Sequence, residues 1–273
     1  MQLWIEGTRP KTWIASISPV VIGTLLAPKP DLVLFAITLL CGLFIQMGTN
    51  LANDYYDCIQ GKDTAVRKGP RRLGASGLVT KNHLFWLMSI TFAIGFILSI
   101  PLIFRGGPII LCMYGLAVLL GIFYTKGPIS YAYKGISEPI VLFFFGSVAV
   151  FFTNYLQTLQ FSIYPLFVGL APGFFSIALL GANNLRDFEE DKLTKKNTLV
   201  VLYGTHFGKV EVSLALLAPL AIVPSIMNLF LIPFIFHILK KLWDEDEITS
   251  LLPKIGIAFI LFTCLFALKA YFL

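Results

Sequence analysis

Asn50-Leu51-Ala52-Asn53-Asp54-Tyr55-Tyr56-Asp57 closes an apolar run that opens near residue 31. A second acidic stretch, Asn183-Asn184-Leu185-Arg186-Asp187-Phe188-Glu189-Glu190-Asp191, closes another that opens near residue 162. Carboxylates at the rim of a hydrocarbon-bounded space are costly unless something positive pairs with them. Both stretches therefore mark candidate functional positions whose expected partner is a cation. The runs they close decide the fold class. With 57% hydrophobic and 13% charged residues and a mean hydropathy of +0.81, the 273-residue chain lacks the polar surface to cover a water-soluble fold. It is expected to be an all-α polytopic membrane protein.

At about 20 residues per spanning helix, nine apolar segments emerge: 12–28, 31–52, 84–104, 108–125, 138–156, 162–182, 210–226, 228–242 and 253–272, the eighth being short. The start Met1-Gln2-Leu3-Trp4-Ile5-Glu6, with Arg9 and Lys11 before the first span and no small-residue cleavage site behind it, reads as an uncleaved first helix. Placing the N-terminus in the cytoplasm puts 18 of the 21 Lys and Arg residues on the inside, leaving out Lys29, Arg105 and Lys269. That bias predicts a bacterial-type inner membrane protein whose acidic mouth is cytoplasmic. It also absorbs the net charge of +6 without any nucleic acid partner. Cys41, Cys58, Cys112 and Cys264 show no metal-ligand or redox spacing and read as packing residues. His83, His206 and His237 are isolated.

The two acidic stretches echo one another. Gly48, Asn50, Asp54, Tyr55 and Asp57 align with Gly181, Asn183, Asp187, Phe188 and Glu190 at a constant offset of 133 residues. This suggests one domain, 1–273, made of two similar halves of about 1–136 and 137–273, each delivering one carboxylate cluster. The clusters end the second and sixth spans, an even number of crossings apart, so both face the same side. Inverted repeats would place them otherwise.

Asp54 and Asp57 are three apart and Asp187 and Asp191 four apart, so each pair is expected to project from one helix face, joined on the first by Asn50. Opposed carboxylates suit a hard divalent cation that keeps waters and completes its shell on substrate phosphates, with Mg2+ on a diphosphate the natural occupant. A diphosphate also needs basic side chains. Lys62, Arg67, Lys68, Arg71 and Arg72 follow the first cluster, and Arg186, Lys192, Lys195 and Lys196 accompany the second. Part of this charge serves lipid headgroups and topology, and interleaving with the acids singles out Arg67 and Arg186. Metal, cations and apolar walls together suit departure of diphosphate from a lipid-soluble allylic chain. Tyr55, Tyr56, Tyr124, Tyr131 and Tyr133 offer aromatic faces to the carbocation, besides interfacial anchoring.

With these residues in place, the chain resembles the UbiA-type intramembrane prenyltransferases, which carry an Asn-Asp-x-x-Asp cluster after the second helix and Asp-x-x-x-Asp after the sixth; here these are Asn53 to Asp57 and Asp187 to Asp191. Arg9-Pro10-Lys11-Thr12-Trp13, Gly69-Pro70-Arg71, Ser76-Gly77-Leu78, Tyr124-Thr125-Lys126-Gly127-Pro128, the Tyr133-to-Glu138 segment, Thr198-Leu199 and Gly204 make it more similar to the branch that prenylates 1,4-dihydroxy-2-naphthoate in menaquinone synthesis. The likeness runs from about residue 8 to 208, and the last 65 residues match only as apolar spans. It implies nine helices around a cavity open sideways to lipid. It also implies Mg2+ held by both clusters, and alkylation of the naphthoate at its carboxylate-bearing carbon with loss of CO2, giving a demethylmenaquinone precursor. On this reading Asp54, Asp57, Asp187 and Asp191 hold the metal, with Asn50 and Asn53 as auxiliary ligands or orienters. Arg67, Arg71, Lys126, Arg186 and Lys196 take the diphosphate, and Tyr124 shields the cation. The partners implied are a polyprenyl diphosphate, an aromatic acid and the lipid bilayer; no protein partner is inferable.

Two positions depart from the family pattern. Lys195 stands where a Gly is expected before Lys196, and Gly61 stands where a third Asp could follow the first cluster, with Asp63 as a substitute. The same chemistry with 4-hydroxybenzoate, homogentisate, another dihydroxynaphthoate, or a haem- or chlorophyll-like ring is the alternative. An ion-coupled transporter is a further one, disfavoured by the same-side duplication and the phosphate-suited cations.

Overall fold

The computed structural model describes residues 2–61, 73–74, 79–244 and 248–272. Lys62, Asp63, Arg67, Lys68, Gly69-Pro70-Arg71, Arg72 and Ser76-Gly77-Leu78 lie outside them. Among the described residues the chain is helical, without strands. In order come α1 (Gln2–Thr8), α2 (Ile14–Leu25), α3 (Leu32–Ile59), α4 (Lys81–Gly106), α5 (Pro108–Phe123), α6 (Ser137–Leu142), α7 (Ala149–Thr158), α8 (Tyr164–Arg186), α9 (Phe188–Leu193), α10 (Leu199–Tyr203), α11 (Thr205–Ile222), α12 (Ile232–Trp243) and α13 (Ile248–Phe272).

Local chemistry sets the boundaries. Asp31 caps α3 by accepting hydrogen bonds from the backbone N–H groups of Val33 and Leu34, at 2.8 and 3.0 Å, and the Thr80 hydroxyl accepts from His83 N–H at the start of α4. Gly107 adopts φ +80° between α4 and α5, a conformation open to glycine, and Pro108 then begins α5. A π-helical turn, Phe143–Val148, joins α6 to α7 in one rod, Ser137–Thr158. There Gly146 lies against the backbones of Gly169 and Gly173, where any Cβ would collide. Small residues at such a crossing let two backbones touch, the usual way helices gain packing in lipid.

Six helices are long and apolar enough to cross a bilayer: α3, α4, the α6–α7 rod, α8, α11 and, from Ser250, α13; α2 and α5 are shorter apolar helices. Each of the nine expected segments coincides with a helix. The eighth begins late, because a 3-10 turn, Ile226–Phe230, precedes α12, whose 12 residues rise only about 18 Å. The outer surface is apolar, with Phe104 88% and Phe230 78% exposed, as expected of side chains meeting lipid rather than water. The main core gathers on α8. Phe175 stacks on Phe259 of α13, ring centroids 4.9 Å apart, among buried residues of α2, α7, α11 and α12. On the other side, α2, α3, α4, α5 and the α6–α7 rod surround an apolar cavity.

Candidate active site

The α3 and α8–α9 ends meet at one polar pocket of about 40 Å³. Its wall holds Asn53 and Asp57 from α3, Asn183, Asp187, Glu190 and Asp191 from the second cluster, with Thr194, Lys196, Arg9, Tyr124, Thr125 and Tyr133. The two clusters thus open on one mouth.

α3 has a period of 3.6 residues, so Asn53 and Asp57 share one face while Asn50 and Asp54 share the next. The first face lines the pocket. Tyr133 donates its hydroxyl to Asp57 Oδ1 at 3.0 Å, and Thr125 donates to Asn53 Oδ1 at 3.3 Å. The second face is taken by the N-terminal segment. Asn50 Nδ2 donates to the Thr8 carbonyl at 2.9 Å, and Arg9 Nη2 donates to Asp54 Oδ1 at 2.6 Å. Leu73 N–H reaches Asp54 Oδ2 at 3.4 Å. Asp54, expected to hold metal, and Asn50, expected to assist it, are both off the pocket wall.

The second cluster is a broken helix rather than the continuous face that its spacing predicts. α8 ends at Arg186, Asp187 turns the chain at φ −95° and ψ 10°, and α9 begins at Phe188. Asp191 N–H still donates to the Asp187 carbonyl at 2.8 Å. That bond keeps both carboxylates beside the pocket. Arg186 donates Nε and Nη2 to the two oxygens of Asp187, both at 2.7 Å, and Nη2 to Asn183 Oδ1 at 2.5 Å. Expected to bind diphosphate, this guanidinium stands behind the wall and orients two residues that line it, in the bidentate geometry that Arg favours. Lys196 does line the pocket, its Nζ 3.1 and 3.2 Å from the Asp191 oxygens. Lys195, where a Gly was expected, adopts the left-handed φ of +55°. The turn is kept, at a cost of about 1–2 kcal/mol for a residue with a Cβ, and Lys196 reaches the site.

Burial raises the Asp191 pKa above the ordinary carboxylate range, and Lys196 partly offsets it. Lys126 is exposed, with Nζ 5.4 Å from the Tyr56 ring centroid, and is not on the wall. Arg67 and Arg71 lie outside the described residues.

The apolar cavity beyond has a volume of about 220 Å³, with Ile45, Leu102, Ile110, Phe144, Phe145 and Phe152 on its wall. Tyr131 lines this cavity and Tyr124 the polar pocket, and their rings meet edge-on at 5.2 Å. One aromatic pair therefore divides an anionic pocket from an oily one.

No group of three His, Cys, Asp or Glu side chains among the described residues converges closely enough to hold a bare ion. Asp57 instead faces Asp187 and Asp191 from different helices across the pocket. Such a donor set fits Mg2+, which takes one or two carboxylates and fills its shell with water and phosphate oxygens. Arg9, Tyr133, Asn183 and Glu190 occur in sequence stretches already quoted, but were given no metal or phosphate role. Thr125 likewise lies in a quoted stretch without a role of its own, and Thr194 carries no sequence signal, because only tertiary packing brings it to the wall.

Comparison with known proteins agrees with this architecture. The profile of the UbiA prenyltransferase family matches residues 16–243. A 1,4-dihydroxy-2-naphthoate octaprenyltransferase of Mycobacterium tuberculosis is 34% identical over 204 residues, covering 74% of this chain and 70% of that protein. The enzyme of the same name from Escherichia coli is 33% identical over 215 residues, with 74% and 69% covered. A UbiA homolog from Archaeoglobus fulgidus, solved bound to GPP and Mg2+, superposes with a TM-score of 0.64 at 15% identity, covering 98% of this chain and 99% of that one.

Proposed function

The chain belongs to the UbiA prenyltransferase family and is a prenyltransferase; from that premise we propose that it transfers a polyprenyl group from its diphosphate to 1,4-dihydroxy-2-naphthoate, on a pathway to menaquinone. The observation that carries the reading is the junction of an acidic pocket with an apolar cavity across the Tyr124–Tyr131 pair. A polyprenyl diphosphate has one strongly anionic end and one long apolar tail, and this junction provides for both. The acceptor follows the relatives whose names state it.

In the proposed reaction the C1–O bond of the prenyl diphosphate breaks, and C1 bonds to the naphthoate carbon bearing the carboxylate. CO2 then leaves, restoring the aromatic ring as demethylmenaquinol. Asp57, Asp187 and Asp191, with Asn53, would hold Mg2+, which when bound supplies positive charge against the departing diphosphate. Tyr133 fixes Asp57, Arg186 aims Asp187 and Asn183, and Lys196 adds a mobile charge. Tyr124 and Tyr131 stand at the junction, where an aromatic face would stabilise the allylic cation, and the apolar walls exclude the water that would quench it. The proposal treats residues 1–273 as one catalytic unit in a multi-pass orientation with its mouth in the cytoplasm.

Purified protein in detergent, given labelled octaprenyl diphosphate, Mg2+ and each candidate acceptor in turn, tests the reading. Transfer to the naphthoate with release of CO2 and diphosphate, abolished by EDTA, is expected. Transfer to 4-hydroxybenzoate alone would move the acceptor assignment, and absence of transfer with every acceptor would defeat it.

A further inference from the structure

We propose that Arg9 is an oxyanion clamp of the active site and that Asp54 is its positioning residue rather than a metal ligand. The inference depends on the proposed prenyl transfer and assigns two of its residues.

The N-terminal segment is built as a strap that delivers one side chain. Gly7 is wedged between α3 and Leu73, where a Cβ would come within 2.8 Å of Leu73 Cδ1 and 2.9 Å of Leu51 Cδ2. Thr8 is fully buried, and its carbonyl accepts two hydrogen bonds, from Trp13 Nε1 at 3.0 Å and Asn50 Nδ2 at 2.9 Å. Immediately after these anchors, Arg9 adopts φ 52° and ψ 66°, a left-handed conformation unusual for a residue with a Cβ. Strained backbone held by over-determined surroundings is characteristic of positions that present a functional group.

The group presented is a guanidinium with unused capacity. Among the described residues its hydrogen bonding is a single donation, to Asp54 Oδ1 at 2.6 Å, out of five N–H donors in a planar fork. Asp54 is 2% exposed by its side chain and Arg9 is 21% exposed: the acid is sealed behind the base, and the base faces the pocket it lines. Lys196, the other cation on the wall among the described residues, has its ammonium already on Asp191. The remaining fork of Arg9 suits two oxygens of one anion, the geometry in which Arg surpasses Lys. Two anions enter the proposed reaction, the prenyl diphosphate and the acceptor carboxylate, and either presents that oxygen pair.

For Asp54 the same contacts argue against a metal role. Its oxygens are engaged by Arg9 and by the Leu73 N–H, and its helix face is turned from the wall that holds Asn53 and Asp57. Removal would cost positioning of Arg9 and leave the metal donors in place.

The test uses the full chain in detergent and measures equilibrium binding without turnover. Inorganic diphosphate with Mg2+ is titrated in one arm and 1,4-dihydroxy-2-naphthoate in the other, for wild type, Arg9→Gln and Arg9→Lys, alongside steady-state KM and kcat. Loss of a charge-assisted hydrogen bond predicts binding of one anion weakened about 10- to 100-fold in Arg9→Gln, the other within about twofold. The weakened arm identifies the source. Arg9→Lys keeps the ion pair to Asp54 without the fork, so it reports on bidentate recognition even if the Gln variant does not fold, and the same anion is expected to be weakened. Asp54→Asn is expected to weaken that anion less, with KM rather than kcat affected and the Mg2+ midpoint unchanged, whereas Asp57→Asn shifts that midpoint. Wild-type binding of both anions by the folded Arg9 variants, equal loss of both, or an Asp54→Asn shift in Mg2+ matching that of Asp57→Asn would each overturn the proposal. Wild-type protein that binds no diphosphate and transfers no prenyl group would instead sink the underlying function.

Discussion

The two acidic helix ends start from matching sequences and are used differently. Gly48 and Gly181 sit at equivalent places, and each admits a neighbouring helix: a Cβ on Gly48 would lie 2.6 Å from the Phe92 ring of α4, and one on Gly181 2.8 Å from Val212 of α11. Beyond them the ends part. Asn50 and Asp54 bind the N-terminal strap, whereas their counterparts Asn183 and Asp187 line the pocket beside Arg186. Asp57 and Glu190, the next matched pair, both line it. A duplicated motif thus specifies chemistry at two helix ends, while whatever packs behind each end decides which oxygens reach the ligand.

The sharpest way to break this comparison is to remove one pocket carboxylate from each side. Asp57→Asn and Asp187→Asn are each expected to lower kcat/KM on the order of 10²–10³-fold, about 3–4 kcal/mol of transition-state stabilisation. Unequal losses, read from initial rates of prenyl transfer, would show that one end dominates.

Lys196→Met is expected to cost about 10- to 100-fold in kcat/KM and to change the pH dependence of stability. A carboxyl with a raised folded pKa, as at Asp191, binds more protons folded than unfolded. Metal-free protein therefore loses stability as pH rises from the ordinary carboxylate value through the raised one. Without Lys196 that loss should grow and extend to higher pH, visible in thermal midpoints measured in EDTA between about pH 4 and 8. Unchanged midpoints would place the Asp191 partner elsewhere.

The matched glycines test the packing half of the comparison. Gly48→Ala meets an aromatic ring and is expected to destabilise by about 1–3 kcal/mol. Gly181→Ala meets the end of a valine side chain and should cost less, by thermal unfolding in detergent. The smallest expected effect is a gain: Lys195→Gly relieves the left-handed strain beside the second cluster and should raise stability by about 1 kcal/mol or less, the added backbone entropy cancelling part of it.

Much of this architecture was legible along the chain. Hydropathy runs place helices well because lipid demands about 20 apolar residues per span whatever the neighbours, and the weak case, 228–242, was the shortest and ends as a 3-10 turn followed by α12. Lys196 was legible through its motif, and the doubt raised by Lys195 dissolved once the backbone showed that a lysine can hold a glycine's turn. Arg186 and Lys126 were read as diphosphate ligands from charge and position, yet charge alone cannot separate a side chain on a wall from one behind it.

The sequence by itself determined an all-helical membrane protein with two carboxylate-bearing helix ends on one side, because residue type, run length and parity of crossings are local or additive properties. Only the tertiary structure decided that Asn53 and Asp57 face the pocket while Asn50 and Asp54 face the strap. The two pairs have the same spacing and chemistry and differ by about 60° around α3. That rotation is set by where Thr8 and Arg9 pack, 41 or more residues away in the chain, and no periodicity within α3 encodes it.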